Sequence, residues 1–321
     1  MKTITLLLTL LYAQVLVAQE IKGTVKDTKQ SAIPYVNVGI PAKAFGVTTD
    51  ELGNFKFKLT TERETDTIYV SAIGYKALQL SVATLKQYNT NNTPIVLTEL
   101  VYELNAVTVR PNEYETKTLG STNIAKNECE NIAELLTSKD TTKANEYKRK
   151  CKAKGMDDKA IGVEVANRIA VKDGQQTFID KIQFKTCLGV NDTAIYRVNV
   201  YKEGNTVKKK MTRVGMVKLV AFENLLKKPI LVKTIGKTEV HNIDISQQNI
   251  EVTDDFIVGL ECIYSSNKQM NIGAEYELFS DTDLFVKKSL NTNWVKFPVL
   301  HVTFVSATVT YKKQKSIFKF W

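Results

Sequence analysis

The chain is poor in the residues that most often build catalytic centres. It has two histidines, His241 and His301, among 321 residues. So few imidazoles leave little material for a histidine metal site or a histidine acid–base pair. No Cys-x-x-Cys occurs, so a zinc ribbon or thioredoxin-type pair has no support. There is no Gly-x-Ser-x-Gly elbow, no glycine-rich phosphate loop and no dinucleotide fingerprint, so no cofactor is expected. Carboxylates are the opposite case. With 34 Asp and Glu, any chosen pair carries no information about glycosidase chemistry. Asp254-Asp255 and Asp281-Thr282-Asp283 read as turn formers, with calcium contact as the sharper alternative. Past the N-terminus no run is long and apolar enough to cross a membrane, so no transmembrane segment is expected in the mature chain.

The N-terminus itself is distinctive. Met1-Lys2 is a short basic start, and no charge follows until Glu20. Leu6-Leu7-Leu8-Thr9-Leu10-Leu11 forms an apolar centre, with small residues at Ala13 and Ala18. This is the layout of a secretory signal peptide, cleaved after Ala18 or Gln19. An uncleaved anchor is the alternative, though the run is short for a span. The length suggests two domains, and 43% hydrophobic with 24% charged residues is ordinary globular usage.

Four cysteines, Cys129, Cys151, Cys187 and Cys262, permit two disulfides in an exported chain. The expected pairing joins Cys129 to Cys151 and Cys187 to Cys262, while four free or buried thiols remain an open alternative. The net charge of +10 is spread over Lys148-Arg149-Lys150, Lys208-Lys209-Lys210 and Lys312-Lys313. These runs are scattered and lack interleaved stacking aromatics. They read as solvated loops and edge-strand lysines, and nucleic acid is not an expected partner.

From 20 to 110 short strands alternate with turns. Ile21–Val25, Tyr35–Ile40, Phe55–Leu59, Thr67–Ala72, Pro94–Leu97 and Ala106–Val109 each offer one apolar face, which predicts a β-sandwich. In Asp50-Glu51-Leu52-Gly53-Asn54, Asp50 should accept from following N–H groups, Gly53 should take a positive φ, and Phe55 and Phe57 should point inward. The ordered set Ile21-x-Gly23-x-Val25, Ile33-Pro34-Tyr35-Val36-Asn37-Val38, Gly46-Val47-Thr48-Thr49-Asp50-x-x-Gly53-x-Phe55-x-Phe57 and Ile68-x-Val70-Ser71-x-x-Gly74-Tyr75 resembles the carboxypeptidase regulatory-like domain. That resemblance implies a transthyretin-like sandwich in an exported protein of Gram-negative bacteria. It implies no activity, since such domains accompany unrelated partners.

Residues 111–159 are polar and charged, with Ile132–Leu136 as a possible helical turn, and read as a partly helical linker. From 160 to 321 strand patterns return at Thr177–Lys185, Ala194–Tyr201, His241–Ile245, Phe256–Ile263 and Val299–Tyr311. They predict an all-β chain closed by a second, jelly-roll-like sandwich. Tyr196–Tyr201, Leu225–Ile230, Asp254–Glu261 and Trp294–Pro298 look like the C-terminal half of exported two-domain proteins with the same front end, a group without an assigned activity.

The resemblance invites a test for a zinc carboxypeptidase. Its His-x-x-Glu is not met by His241-Asn242-Ile243-Asp244, whose outer residues would also point to opposite faces of a strand. No metal ligand and no catalytic residue is assigned. Cys187 or Cys262 with a histidine reads as inert core rather than a nucleophilic pair. The candidate ligand-binding residues are the aromatics Trp294, Tyr264 and Tyr276, placed at turns or strand ends where they could stack on sugars or anchor a protein. Phe297 reads as core. The ending Phe318-Lys319-Phe320-Trp321 is unaccompanied by the strand pattern of a membrane barrel. The expectation is a non-enzymatic protein of the periplasm or cell surface that binds an envelope protein or glycan through its second domain. A hydrolase with a cryptic site and a subunit that adds a strand at Val299–Tyr311 are the alternatives.

Overall fold

The computed structural model describes residues 19–40, 45–59, 64–100, 114–121, 123–131, 162–172, 174–212, 215–276, 283–287, 294–297 and 302–313. The leader, most of the expected linker, Cys151, His301, Asp281, Ala106–Val109 and the terminal aromatics lie outside them. The chain is all-β and separates into two compact units. One holds residues up to Ser71 and Tyr75–Glu99. The other holds Ala72–Gly74 and everything from Leu100 onward.

The first unit has strands β1 (Gln19–Asp27), β2 (Asn37–Ile40), β3 (Phe45–Thr48), β4 (Asn54–Leu59), β5 (Thr67–Ser71), β6 (Leu78–Ser81) and β7 (Ile95–Leu97), with helix α1 (Val82–Thr90). They form two sheets, ordered β4-β1-β7 and β3-β2-β5-β6. Strand β4 is buried at every second residue, so Phe55, Phe57 and Leu59 enter the core as its alternation requires. The Asp50 turn forms as expected. Its Oδ1 accepts from Leu52 N at 2.9 Å and Asn54 N at 2.8 Å. Gly53 sits at φ +74°, and a Cβ there would lie 2.6 Å from the Val25 carbonyl oxygen. Helix α1 escaped the strand reading. Ser81 caps it by accepting from Thr84 N at 3.0 Å, and only Val82 and Leu85 face inward.

The second unit begins earlier than the sequence suggests. Tyr114–Gly120 (β8) and Glu128–Asn131 (β9), expected in a linker, are strands of its larger sheet. Residues such as Glu115, Thr116, Lys117 and Thr118 are exposed, so no apolar period announces the strand. The remaining strands are β10 (Glu164–Ile169), β11 (Thr177–Cys187), β12 (Thr193–Thr212), β13 (Gly215–Asn224), β14 (Ile230–Ile235), β15 (Thr238–Asp244), β16 (Ile250–Val252), β17 (Phe256–Ser265), β18 (Asn271–Tyr276), β19 (Leu284–Lys287), β20 (Trp294–Phe297), β21 (Val302–Thr303) and β22 (Val305–Lys312). One sheet runs β21-β18-β11-β22-β8, with β15 and β16 also on β11 and β9 on β18. The other runs β13-β20-β19-β10-β17-β12-β14. A fully buried apolar core that includes Val165, Phe184, Tyr196, Val258, Val286 and Val305 draws on both sheets, as a sandwich requires.

The second sheet departs from a plain sandwich layer. Its long strand β12 pairs β17 and β14 through its first half and β13 through its second. Because β13 also pairs β20, the strands β12, β13, β20, β19, β10 and β17 close into a ring. Closure removes an edge and creates a second interior on the face away from the sandwich core.

The cysteines pair differently from expectation. Cys129 on β9 is bonded to Cys187 at the end of β11, with Cα atoms 5.7 Å apart. Cys262 is a free thiol, buried in the sandwich core on β17. Cys187 thus takes its partner from the polar segment, and Cys262 stays in the core.

Candidate functional site

Strand alternation sorts the second unit's groups into two interiors. On β10, Val165 and Ile169 face the sandwich core, while Glu164, Ala166 and Arg168 face into the ring. The middle of the ring is aromatic. Tyr201 meets Trp294 edge-on at 5.5 Å between ring centres, and Phe222 lies 4.9 Å from Trp294 and 5.0 Å from Phe285.

Charge lies to either side of this layer, buried on one side and partly exposed on the other. Glu164, wholly buried, accepts from Asn199 Nδ2 and Tyr201 Oη at 2.7 Å through Oε1, and pairs with Lys287 Nζ at 2.5 Å through Oε2. Arg197 pairs with buried Glu261 at 3.0 Å. Asn224 donates to Asn199 Oδ1 at 3.0 Å. Gly259 makes room for this arrangement, since a Cβ there would lie 2.5 Å from Glu164 Oε1. On the other side, Arg168 joins Glu203 and Asp283, and Lys296 joins Asp283 at 2.6 Å. Each group balances two carboxylates with two cations, so no net charge is buried.

The electrostatics follow from burial and these neighbours. Burial pushes the Glu164 carboxyl up, and Lys287 pulls against it. Burial alone would lower Lys287, but Glu164 and Glu261 outweigh it and hold the ammonium above its ordinary value. Burial, then Glu164 and Glu261, push the Tyr201 phenol well above its usual range, so it acts as a neutral donor. Burial raises the Cys262 thiol to about 12, which leaves it without thiolate character. The carboxylates are ion-paired, although Glu261 Oε1 and Arg168 Nε are buried without a hydrogen-bond partner.

Trp294, a ligand-binding candidate only if exposed at its turn, is instead a wall of this interior, 4% exposed, with the Lys287 ammonium 4.9 Å above its ring. Tyr264 is 45% exposed, beside a bulge where β17 shifts register against β12. Tyr276 lies on β18 opposite Val302, and its side chain is outside the description. The structure does not bring the three together. His241 is not a ligand in any cluster. Its Nε2 lies 2.8 Å from Thr186 Oγ1 and 3.0 Å from Thr234 Oγ1, its ring packs on Phe184, and burial lowers its pKa. Among the described residues no three His, Cys, Asp or Glu side chains are placed to share a metal ion.

An accessible cleft lies elsewhere, where β8 and β22 meet the loop after β10. It encloses about 460 Å³ and has Leu119, Val171 and Val309 for its apolar part. Glu115, Lys117, Lys172, Tyr311 and Lys313 supply its polar part. Tyr311 Oη donates to Glu115 at 3.3 Å, and Lys313 pairs with the same carboxylate at 3.3 Å. Glu115 is the one carboxylate among the lining residues. The sequence reading missed this site because one wall of it, Glu115, Lys117 and Leu119, comes from the segment taken as linker.

Comparison with known proteins bears on the first unit. Residues 21–109 match the CarboxypepD_reg-like domain family. No curated protein matches the chain. Among solved structures, the cysteine protease and lectin-like domains of Cwp84, a surface layer associated protein of Clostridium difficile, align over 47% of this chain and 32% of that one, at 13% identity and a TM-score of 0.30. A putative membrane-associated protein of unknown function from Bacteroides fragilis aligns over 92% of this chain and 97% of that one, at 11% identity and a TM-score of 0.19. Likeness at these scores carries no argument about fold or function. No helix among the described residues is long and apolar enough to cross a membrane. What the family match does establish, together with the two-sheet fold of the first unit, is that residues 21–109 are a carboxypeptidase regulatory-like domain.

Proposed function

We propose that this chain is a non-enzymatic exported protein of the cell envelope, in the periplasm or at the cell surface, and that its second unit binds an envelope protein or glycan. The leader sequence supports export, and the regulatory-like domain suits an exported setting. One observation carries the binding role: reactive groups and accessible surface are separated. Glu164, Glu261, Arg197, Lys287 and Tyr201 are closed inside the ring and paired. The open cleft offers an apolar floor, Tyr311 and lysines, with the single carboxylate Glu115 already engaged. Paired-carboxylate glycoside hydrolysis needs two such groups at one site, whereas this mixture suits recognition.

The test uses the full mature chain, screened against peptidoglycan fragments, envelope polysaccharides and envelope proteins. The Tyr311→Ala variant runs in parallel. Binding that weakens about tenfold or more in the variant is expected for a central aromatic contact. Unchanged binding in the variant would remove the cleft from the account, and turnover of any bound compound would overturn the non-enzymatic reading.

A further inference from the structure

Strand β22, where the strand-adding alternative would need a free edge, is paired on both sides: β11 covers one and β8 the other. The edge has moved outward by one strand. Among the described residues β8 pairs β22 alone, in an unbroken antiparallel register from Gly120↔Ser306 to Tyr114↔Lys312. In such a ladder alternate residues direct their N–H and C=O groups away from the neighbour, so β8 presents a row of backbone groups unclaimed among the described residues.

The alternation of β8 also decides what lies beside that row. Leu119 packs against the sandwich core, and Glu115, Lys117 and Leu119 line the cleft, so they share one face. Thr116 and Thr118 take the other, with Thr116 Oγ1 at 3.2 Å from Thr310 Oγ1. A strand added along β8 would therefore send every second side chain toward the cleft. The cleft sets the charge those side chains should carry. Lys117, Lys172 and Lys313 face the single carboxylate of Glu115, which Lys313 and Tyr311 already hold. Lys117 is exposed and has no ion-pair partner among the described residues. The same lysine discourages pairing with a neutral or basic strand.

The geometry points to β8 as a strand-addition site for an extended acidic segment of a partner protein, with its backbone paired to Tyr114–Gly120 and alternate acidic side chains directed to Lys117 and its neighbours. This rests on the proposed binding role and commits it to one class of occupant. Main-chain pairing would supply affinity, and the basic cleft would supply the choice of sequence.

The experiment uses the full mature chain and a fluorescein-labelled peptide of alternating valine and glutamate, read by fluorescence anisotropy and by amide hydrogen exchange of 114–120. Controls are the same peptide with lysine for glutamate, the acidic peptide N-methylated at alternate residues, and an oligogalacturonate. The expected result is saturable binding of the acidic peptide that weakens with salt, slowed exchange along β8, and loss with the lysine or N-methylated peptide. Lys117→Glu should weaken binding about tenfold while leaving the melting temperature unchanged. Equal binding of the N-methylated peptide would overturn strand addition, and equal binding of the lysine peptide would overturn the charge assignment. Oligogalacturonate binding that Lys117→Glu abolishes, with no peptide bound, would replace the occupant by a glycan and leave the binding role standing. If neither binds and the Tyr311→Ala screen is also blank, the binding role itself falls.

Discussion

The interior of the first unit and the ring interior of the second are built from opposite materials. In the first, the buried residues are mostly apolar, Ile21, Val38, Phe57, Ile68 and Leu85 among them, and strands such as β4 show their core face in the sequence. In the second, Glu164, Glu261 and Arg197 are as deeply buried as those residues, beside Trp294 and Phe285. Both solutions fill space, but they fail differently. An apolar core loses transfer energy and gains a cavity when trimmed. A paired ionic core is left with an uncompensated charge when one partner goes.

The most damaging test of that contrast is Lys287→Met. It should cost about 3–5 kcal/mol in the second unit, because Glu164 would lose its cation while Glu261 keeps Arg197. Adding Glu164→Leu should recover most of the loss, since replacing both partners removes the orphaned charge. Chemical denaturation of both variants decides this, and a loss under about 1 kcal/mol for the single variant would mean that water reaches the ring. Phe57→Ala in the first unit should also cost about 3–5 kcal/mol, by cavity formation alone. No second substitution that only neutralises charge should rescue it. If salt changed its cost as it changes that of Lys287→Met, the contrast would fail.

A smaller effect sharpens the boundary of the second unit. The Cys129–Cys187 bond closes 58 residues and ties β9 to β11. Its removal as a Cys129→Ser, Cys187→Ser pair should cost about 2–4 kcal/mol. An unchanged melting temperature would show that β9 contributes nothing to the unit. The smallest effect concerns His241. Burial lowers its pKa in the folded chain, so its contribution is fully present above the unfolded value of 6.5 and is lost as pH falls through the folded value. Stability of the second unit should decline below about pH 6.5, and His241→Gln should flatten that slope. Identical slopes in both proteins would exclude it.

The same contrast explains what could be read from the residues. The Asp50–Asn54 turn and the Phe55-x-Phe57 face were legible because local hydrogen bonding and period-two burial act within a few residues. The ring was not. In Glu164-Val165-Ala166-Asn167-Arg168-Ile169 the polar positions look solvent-facing by the usual alternation, yet most are buried. Only closure of β12 onto β13, a long-range event, reveals a second interior. Trp294 was misplaced for that reason, since a polar neighbour such as Asn293 says nothing about a ring closing over it. The cleft was hidden because β8 has exposed polar residues on both faces. The Cys129–Cys187 bond was hidden because spacing along the chain does not measure distance across a sheet.

The central claim is that recognition belongs to the cleft and the charged ring is structural. It is tested most directly by measuring the affinity of the full chain for a ligand found in the envelope screen, with Lys117→Glu and Lys287→Met compared at a temperature where both remain folded. The account predicts that Lys117→Glu weakens binding about tenfold without loss of stability, and that folded Lys287→Met binds as the parent does. Binding abolished by Lys287→Met and untouched by Lys117→Glu would contradict it and place the working site inside the ring.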